Sequence, residues 1–344
     1  MPTASNKSKR HRKGVMHPTI ADVAQEAQVS TITVSRVINS AGTVSPSTRK
    51  RVEAAIDKVG YVRNMLAKSL ASASSRFIAV IVPSLANIVF IEVISGLQSE
   101  FEKQGYEMLL GNTNYDLDRE CQLVRTFLGW SPSAVVITGL RHNSSCQRIL
   151  EGWGGPIVEI MELGDAIDLN IGLVHQDAGR CMARYLLGKK HRNIVYVAAQ
   201  MKKDYRAGLR YEGHKAELEA AGLKAPLLDM GLLGQFETGA HSLDTVLTDY
   251  PDVTAIHFAN DDLATGALLH AQRRGVRVPE TIAIAGFNGL PIGQHITPSL
   301  TTIISPRRTI GRVAAEQVIA RIEGRYLQNN QTDVGFELSI GDSA

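Results

Sequence analysis

The feature that most constrains the fold of this chain is a repeated alternation of short apolar runs with helical patterns from residue 76 onward. The first run, Phe77–Val82, reads FIAVIV and ends at Pro83, as expected of a parallel strand buried on both faces. The alternation predicts parallel sheets covered by helices, and its length favours two sheets and therefore two lobes. The predicted strands are Phe77–Val82, Tyr106–Gly111, Ala134–Thr138, Ile157–Met161, Ile194–Ala198, Ala255–Ala259 and Ile282–Ala285, and the predicted helices include Asn87–Gly105, Ala178–Leu187, Tyr211–Ala221 and Asp262–Arg274.

The predicted sheets also indicate where a ligand would bind. Open α/β sheets bind ligands beyond the carboxyl ends of their strands. A chain with two such lobes is therefore expected to bind its ligand in the cleft between them.

A different pattern precedes this core. Thr19–Asn39 reads TIADVAQEAQVSTITVSRVIN, which predicts a helix over Ile20–Ala27, a turn over Gln28–Ser30 and a second helix over Thr31–Asn39. The apolar positions of each helix share one face, which leaves small polar groups and an Arg on the free face of the second. Such a face suits the DNA major groove, although an ordinary helix pair with a solvated face fits the same residues. A third helix is predicted over Thr48–Gly60.

The distribution of charge favours the DNA-binding interpretation. Residues 1–71 carry 12 Lys and Arg against 4 Asp and Glu, a net charge of +8, whereas the remaining residues carry a net charge of −5. This asymmetry is typical of one part that meets phosphates and another that does not. Within the basic part, Lys7–Lys13 has no apolar periodicity, and it is either a flexible arm that lies along DNA or a solubilising tail.

The sequence argues against several other classes of protein. No apolar run is long enough to span a membrane and no secretory signal is visible, so we expect a cytoplasmic protein with no membrane partner. The three cysteines, Cys121, Cys146 and Cys181, are too widely spaced for a disulfide framework or a metal knuckle. No GxSxG, P-loop, GxGxxG or HExxH motif is present, so we predict no enzyme, no cofactor and no metal.

Four motifs, in order, carry a resemblance to a known family. Thr19–Asn39 fits T-I-x-D-V-A-x-x-A-x-V-S-x-x-T-V-S-R-V-I-N, and Ala259–Asp262 (ANDD), Ile284–Asn288 (IAGFN) and Pro298–Ile303 (PSLTTI) follow. The chain thereby resembles the lactose/galactose-repressor (LacI/GalR) family of bacterial transcription regulators. The resemblance implies an α helix-turn-helix headpiece, a hinge helix and a periplasmic-binding-protein-like α/β core with two parallel-sheet lobes, acting as a homodimer on operator DNA. A solute-binding transport protein would share the core, but it should carry a signal peptide and lack the basic headpiece.

The resemblance also implies domain boundaries. They are a basic flexible arm over 1–17, the helix-turn-helix domain over 18–62, the hinge helix and linker over 63–75, and the effector-binding and dimerisation core over 76–344. Within the core, the N-terminal lobe is expected over about 76–174 and 304–333, and the C-terminal lobe over about 175–303 and 334–344.

The DNA-binding positions of the family fall on two segments. Thr31, Ile32 and Arg36 match base-reading positions, and Arg36 can pair with a guanine through two hydrogen bonds. The hinge falls on Asn64–Leu70, where Leu70 matches the wedge that enters the minor groove; without the resemblance, Leu70 would be interpreted as a dimer-core residue. Lys68 stands where the family usually has Arg. The candidate phosphate contacts are Thr19, Ser30, Thr33, Ser35 and Asn39, and Asn64, Ala67, Lys68 and Leu70 complete the predicted DNA-binding set.

The effector-binding positions fall on the core. Arg210 and Asn260 match positions that bind sugar hydroxyls, although Asn260 is also a plausible helix cap. Leu173 and Phe236 match apolar positions against a sugar ring, or they belong to the core. Glu159 or Glu162 either orients Arg groups or accepts hydroxyls, and a surface salt bridge is the alternative. The full predicted effector set is Phe90, Thr138, Glu162, Leu173, Arg210, Phe236, Asn260, Asn288 and Arg307.

Two departures from the family indicate the chemistry of the effector. Asn288 stands where many sugar-binding members have Asp, and Arg307 stands at a position that is often apolar or aromatic. Both changes make the predicted cleft more positive, which favours a carboxylate and hence a sugar acid. Val158–Glu162 and Phe287–Gln294 look most like the gluconate-operon repressor branch, although 2-ketogluconate and another sugar remain alternatives, as does a corepressor instead of an inducer. His175 has no assigned role.

Overall fold

The computed structural model describes residues 18–39, 42, 44–62, 75–231 and 236–344. The chain divides into two compact units, residues 1–73 and residues 74–344, which are described separately. The predicted basic arm over 1–17 and the predicted hinge contacts Asn64, Ala67, Lys68 and Leu70 lie outside the described residues.

The described part of the N-terminal unit contains three short helices, α1 (Ile20–Glu26), α2 (Thr31–Ile38) and α3 (Pro46–Val59). Each begins at a hydroxyl residue whose side chain accepts a hydrogen bond from a backbone N–H of the first turn, and α3 ends at a glycine with positive φ. Short helices of this length are stable only when packed. Their inner faces form one small core of Val23, Ala24, Ala27, Val34, Val37, Val52 and Ala55.

The second unit consists of two lobes, each built on a six-stranded sheet. The first sheet has the order β11-β5-β4-β3-β1-β2, and its paired strands are all parallel. Its strands are β1 (Phe77–Val82), β2 (Glu107–Asn112), β3 (Ala134–Thr138), β4 (Ile157–Glu162), β5 (Leu169–Leu173) and β11 (Gln331–Asp333). The helices that follow these strands in the chain are α4 (Ile88–Lys103), α5 (Leu117–Leu128), α6 (Ser144–Trp153) and, later, α12 (Arg307–Ile322), which packs against α4.

The second sheet has the order β12-β10-β9-β8-β6-β7, with only β12 antiparallel to its neighbour. The chain crosses between the lobes three times, after β5, after β10 and after β11, so both lobes are built from non-contiguous segments. The strands are β6 (Ile194–Ala198), β7 (Leu227–Asp229), β8 (Ala255–Phe258), β9 (Ala283–Asn288), β10 (Thr301–Ile304) and β12 (Glu337–Ser339), and the helices are α7 (His175–Gly188), α8 (Tyr205–Ala220), α9 (Phe236–Asp249), α10 (Asp261–Arg274) and α11 (Pro291–His295).

The predicted fold class is confirmed, and the differences lie in particular elements. Each of the seven predicted strands is present, six of them within one residue of their predicted bounds, whereas β9 extends three residues beyond its predicted end at Ala285. Two helices begin earlier than predicted, α7 at His175 and α8 at Tyr205, because their first turns are polar and lack the apolar spacing from which the starts were predicted. Among the described residues, no helix is both long and apolar enough to cross a bilayer.

Candidate functional site

The exposed face of α2 is the first candidate surface. Ile32 leaves 63% of its surface in solvent, and Arg36 is exposed one turn further along the helix. Thr31 is also exposed, whereas Thr33 and Ser35 are half-buried. The three residues predicted to read bases therefore share the free face of this helix.

The predicted phosphate contacts have structural roles of their own. Thr19 forms a capping box with Asp22, in which each side chain bonds to the other residue's backbone. Ser30 caps α2 by accepting a hydrogen bond from the Thr33 backbone N–H at 3.2 Å. Asn39 donates to the Ser35 carbonyl at 2.9 Å. Because such caps hold the helix ends in place, Thr19 positions α1, and Ser30 and Asn39 position α2, whether or not DNA is bound.

The second candidate site is a cavity of about 750 Å³ lined by residues of both lobes. Several lining residues stand at or just beyond carboxyl ends of strands, as expected for open α/β sheets: Pro83 follows β1, Asn260 lies beyond β8, and Asn288 ends β9. The predicted effector residues that line this cavity are Phe90, Arg210, Phe236, Asn260 and Asn288.

Arg210 is the most constrained cation of the cavity. Its Nη2 donates to the Ala259 carbonyl at 2.9 Å and lies 3.7 Å from an Asp204 carboxylate oxygen, and its guanidinium carbon lies 4.1 Å from the centre of the Phe287 ring. Its Nε is buried and has no hydrogen-bond partner among the described residues.

His175 explains how Arg210 is held. Arg210 Nη1 donates to His175 Nδ1 at 3.1 Å, and His175 Nε2 donates to the Met161 carbonyl at 3.2 Å, which requires the neutral Nε2–H tautomer. Burial, with the nearby charge of Arg210, lowers the pKa of His175 well below its ordinary value of 6.5. His175 therefore stays neutral and links Arg210 to strand β4 of the first lobe.

Two glycines allow this arrangement by bringing α7 and α8 close together. A Cβ on Gly179 would lie 1.9 Å from the Arg210 carbonyl oxygen, and a Cβ on Gly213 would lie 1.8 Å from the Gln176 carbonyl oxygen. No side chain fits at those distances, so only glycine permits this approach of the two helix backbones.

Arg206 is a functional candidate that the sequence reasoning missed. It lies one helical turn before Arg210, lines the cavity and is only 7% exposed. Its guanidinium carbon lies 5.4 Å from the centre of the Tyr205 ring, and no carboxylate of the described residues lies within 4.0 Å of its nitrogens. The buried Glu162 carboxylate is the acid that its charge influences, because Arg206 acts to lower the pKa of Glu162. A buried guanidinium without an ion-pair partner, facing a cavity, is suited to binding an anion. Its spacing of four residues from Arg210 was the available signal, because that spacing places both on one helix face.

The cavity is not as positive as the sequence suggested. Its charged lining residues are three cations, Lys203, Arg206 and Arg210, and three acids, Asp204, Glu237 and Asp262. Burial raises the pKa of Asp262.

Arg307 is placed differently from the prediction. It lies outside the cavity lining, where its Nε donates to a Glu92 carboxylate oxygen at 2.9 Å and its Nη1 donates to the Asn288 carbonyl. Arg307 therefore carries a neutralised charge and ties the start of α12 to the end of β9. Asn288 has φ of 123°, a strained backbone for a non-glycine residue, and this bond helps to hold it there.

Three further predicted residues lie outside the lining. Leu173 is fully buried in the core of the second lobe, because its side chain packs with residues of α7 and not toward the cavity. Thr138 donates to the Ile81 carbonyl at 3.3 Å. Glu162 is buried, not a surface ion pair, and it accepts hydrogen bonds from the Leu140 N–H at 3.0 Å and from the Tyr205 hydroxyl. Burial raises the pKa of Glu162.

Asn260 and Phe236 combine structural and lining roles. Asn260 caps α10 by accepting from the Leu263 N–H at 3.0 Å, as the alternative interpretation expected, and it also lines the cavity. Phe236 begins α9 with 45% of its surface exposed, so it lines the cavity and does not belong to the core.

Comparison with known proteins agrees with both units. Residues 19–64 match the family model "Bacterial regulatory proteins, lacI family", and residues 75–341 match "Periplasmic binding proteins and sugar binding domain of LacI family". The HTH-type transcriptional regulator GntR of Pseudomonas aeruginosa is 38% identical over 340 residues, 98% of either chain, and the regulator of the same name from Escherichia coli is 33% identical over 95% of this chain and 98% of its own. A LacI-family transcriptional regulator of known structure from Silicibacter pomeroyi is 35% identical, with a TM-score of 0.90 over 95% of this chain and 99% of its own. The chain therefore belongs to the LacI family of bacterial transcription regulators, which are not enzymes.

Proposed function

We propose that this regulator is a repressor that binds a pseudo-palindromic operator as a homodimer and releases it when a sugar acid of the gluconate type fills the cavity of its core. The effector assignment rests mainly on Arg206. Its buried guanidinium lines the cavity, and it forms no salt bridge with a carboxylate of the described residues. The cavity volume of about 750 Å³ lies within the range of small-molecule sites.

The lining supplies a separate group for each part of a sugar acid. Arg206 offers a fork of donors that matches a carboxylate, and Arg210 adds a second guanidinium to the lining. The side chains of Asn260 and Asp262 provide further polar groups for hydroxyls, and the rings of Phe90 and Phe236 provide apolar surface for the carbon chain. Thr138, Glu162, Leu173 and Arg307 would act on the ligand only indirectly.

The comparisons support this effector class without testing it. The relatives from Pseudomonas aeruginosa and Escherichia coli carry the name GntR, and a GntR regulator of known structure from Chromobacterium violaceum is 39% identical over the 78% of this chain that it covers. Together with the sequence patterns at Val158–Glu162 and Phe287–Gln294, they favour gluconate over a neutral sugar.

The headpiece would read the operator through α2. Arg36 would bond to a guanine, and Ile32 would contact a thymine methyl, because an isoleucine offers only apolar contact to base edges. The caps at Thr19 and Ser30, with Thr33, Ser35 and Asn39, would position the helix against phosphates. The hinge contacts Asn64, Ala67, Lys68 and Leu70 belong to the same proposal.

Three hydrogen bonds between the lobes would couple ligand binding to the arrangement of one lobe against the other. His175 with Met161, Tyr205 with Glu162, and Arg307 with Asn288 each join a residue of one lobe to a residue of the other. Arg210 is bonded to His175, and Arg206 lies beside Tyr205, so a ligand bound to both arginines would touch the neighbours of the first two contacts. It can shift the lobes only if it binds one arrangement more tightly than another.

The direct test measures ligand binding and DNA binding separately. Isothermal titration calorimetry with gluconate, 2-ketogluconate and glucose identifies the effector class, and fluorescence anisotropy with DNA selected from a random library by this protein reports operator affinity. We expect a sugar acid to bind and to weaken DNA binding, with glucose much weaker. Absence of binding by both acids would overturn the effector assignment, and stronger DNA binding in the presence of the acid would indicate a corepressor.

A further inference from the structure

A buried cluster of ionisable side chains lies in the first lobe, outside the lining of the effector cavity. It consists of Glu120 on α5, His142 after β3, Cys146 in the first turn of α6, and Glu159 on β4. The side chains of Glu120, His142 and Glu159 are 7%, 2% and 2% exposed, and Cys146 is fully buried. Nothing in the proposed function uses these residues.

The donor atoms of the cluster point toward one another. His142 Nδ1 lies 2.7 Å from Glu120 Oε1, and the Sγ of Cys146 lies within 4.8 Å of both ligand atoms. Among the described residues, no other group of three His, Cys, Asp or Glu side chains meets this distance. Nitrogen, sulfur and oxygen donors are the set that Zn²⁺ prefers, at about 2.0–2.3 Å from the ion. Donors at these separations need only small rotations to reach a common centre.

Glu159 holds the imidazole in the orientation that a metal ligand requires. Its Oε1 lies 3.1 Å from His142 Nε2, and its Oε2 accepts a hydrogen bond from the Ile167 N–H at 2.5 Å. A carboxylate that accepts from one ring nitrogen leaves the other free to coordinate, which is the usual arrangement around histidine ligands of metals. Nδ1 is the nitrogen that faces Glu120.

The charge of the cluster suits a divalent cation. The carboxylates of Glu120 and Glu159 flank His142 at 2.7 and 3.1 Å, and they supply negative charge in a buried setting. A metal coordinates a neutral imidazole and a thiolate, so binding would release protons from His142 and Cys146.

We propose that Glu120, His142 and Cys146 form a binding site for a divalent transition-metal ion of the Zn²⁺ class, with Glu159 orienting His142. A water molecule would complete the coordination of the ion. The ion would join α5, the loop after β3 and α6, and so stabilise the first lobe by binding the folded state.

The test uses untagged full-length protein that has been stripped with a chelator and kept reduced. Zn²⁺ alone is added and the ion content per chain is measured after dialysis, and Co²⁺ is then used as a spectroscopic probe for thiolate coordination. We expect one ion per chain and a thiolate-to-cobalt charge-transfer band. Cys146→Ser should abolish the band, and Glu159→Gln should weaken binding roughly 10- to 100-fold.

Cys181→Ser is the matched control, because this third cysteine lies outside the cluster, and it should bind the ion like the natural chain. Glu120→Gln, which preserves side-chain shape, provides a second test if Cys146→Ser does not fold, and it should lower the affinity for Zn²⁺. The proposal is overturned by a chain that holds no ion after dialysis, or by a charge-transfer band that survives Cys146→Ser. Because neither readout involves gluconate or DNA, failure here leaves the proposed function untouched.

Discussion

Replacing Arg206 by Gln should remove most of the preference of the cavity for a carboxylate. The guanidinium of Arg206 is 7% exposed and has no carboxylate partner among the described residues, so a bound carboxylate would be shielded from water. Removing one member of a buried, hydrogen-bonded charge pair costs about 2–4 kcal/mol in binding. This corresponds to a dissociation constant for gluconate that is roughly 30- to 700-fold higher.

The assay compares gluconate with gluconamide, its neutral amide, by isothermal titration calorimetry. Gluconamide lacks the charge but keeps the hydroxyls, so Arg206→Gln should weaken gluconate binding far more than gluconamide binding. Lys203→Gln is the matched control, because Lys203 lines the same cavity but is exposed. An exposed ion pair contributes at most about 1 kcal/mol, or about fivefold in affinity.

Two outcomes would contradict the proposed pairing of Arg206 with the carboxylate of gluconate. One is an Arg206→Gln variant that binds gluconate as tightly as the natural chain. The other is an equal loss for both ligands, which would mean that Arg206 supports the shape of the cavity and does not pair with the carboxylate.

Three further predictions concern other parts of the molecule. Arg36→Ala should weaken binding to selected operator DNA by about 1–3 kcal/mol and relax base preference at one position, with gluconate affinity unchanged; an anisotropy titration that shows the natural affinity would contradict the base-reading role. Gly179→Ala should lower the free energy of unfolding, measured in urea, by about 1–3 kcal/mol, because the new Cβ would meet the Arg210 carbonyl oxygen at 1.9 Å. Gly188→Ala, on the same helix, is the control: its Cβ would meet nothing within 4 Å, so it should be neutral or stabilising in the same measurement. Burial lowers the pKa of His214 to about 3 and that of His257 well below 6.5, so below pH 6.5 the unfolded chain binds more protons than the folded chain. The free energy of unfolding should therefore be highest above pH 6.5 and decline as the pH falls toward 3. His214→Gln should reduce the slope of this decline.

The parts of the fold that sequence predicts are those whose local pattern agrees with their tertiary environment. Phe77–Val82 is apolar throughout, and Ala134–Thr138 is apolar up to its last residue, because both faces of their sheet are covered, so the pattern and the burial coincide. Leu227–Asp229 and Glu337–Ser339 are three-residue edge strands, which are too short for any periodicity and depend on a neighbouring strand.

The effector site was predicted less completely, because the role of each of its side chains depends on contacts with residues that are distant in the sequence. Arg307 was expected to add free positive charge to the cleft, but it pairs with Glu92, 215 residues away in the chain. His175 had no assigned role because its partners, Met161 and Arg210, meet only in the folded core. Arg206 was missed because α8 was predicted to begin at Tyr211, which left the first turn outside the helix.

The most direct test of whether the cavity controls DNA binding is an anisotropy titration of the protein on its selected operator DNA in the presence of increasing gluconate. We expect gluconate to lower the affinity for DNA, and Arg206→Gln to require a far higher gluconate concentration for the same effect. An operator affinity that stays constant while calorimetry records saturated gluconate binding would contradict the proposal that this cavity controls the headpiece.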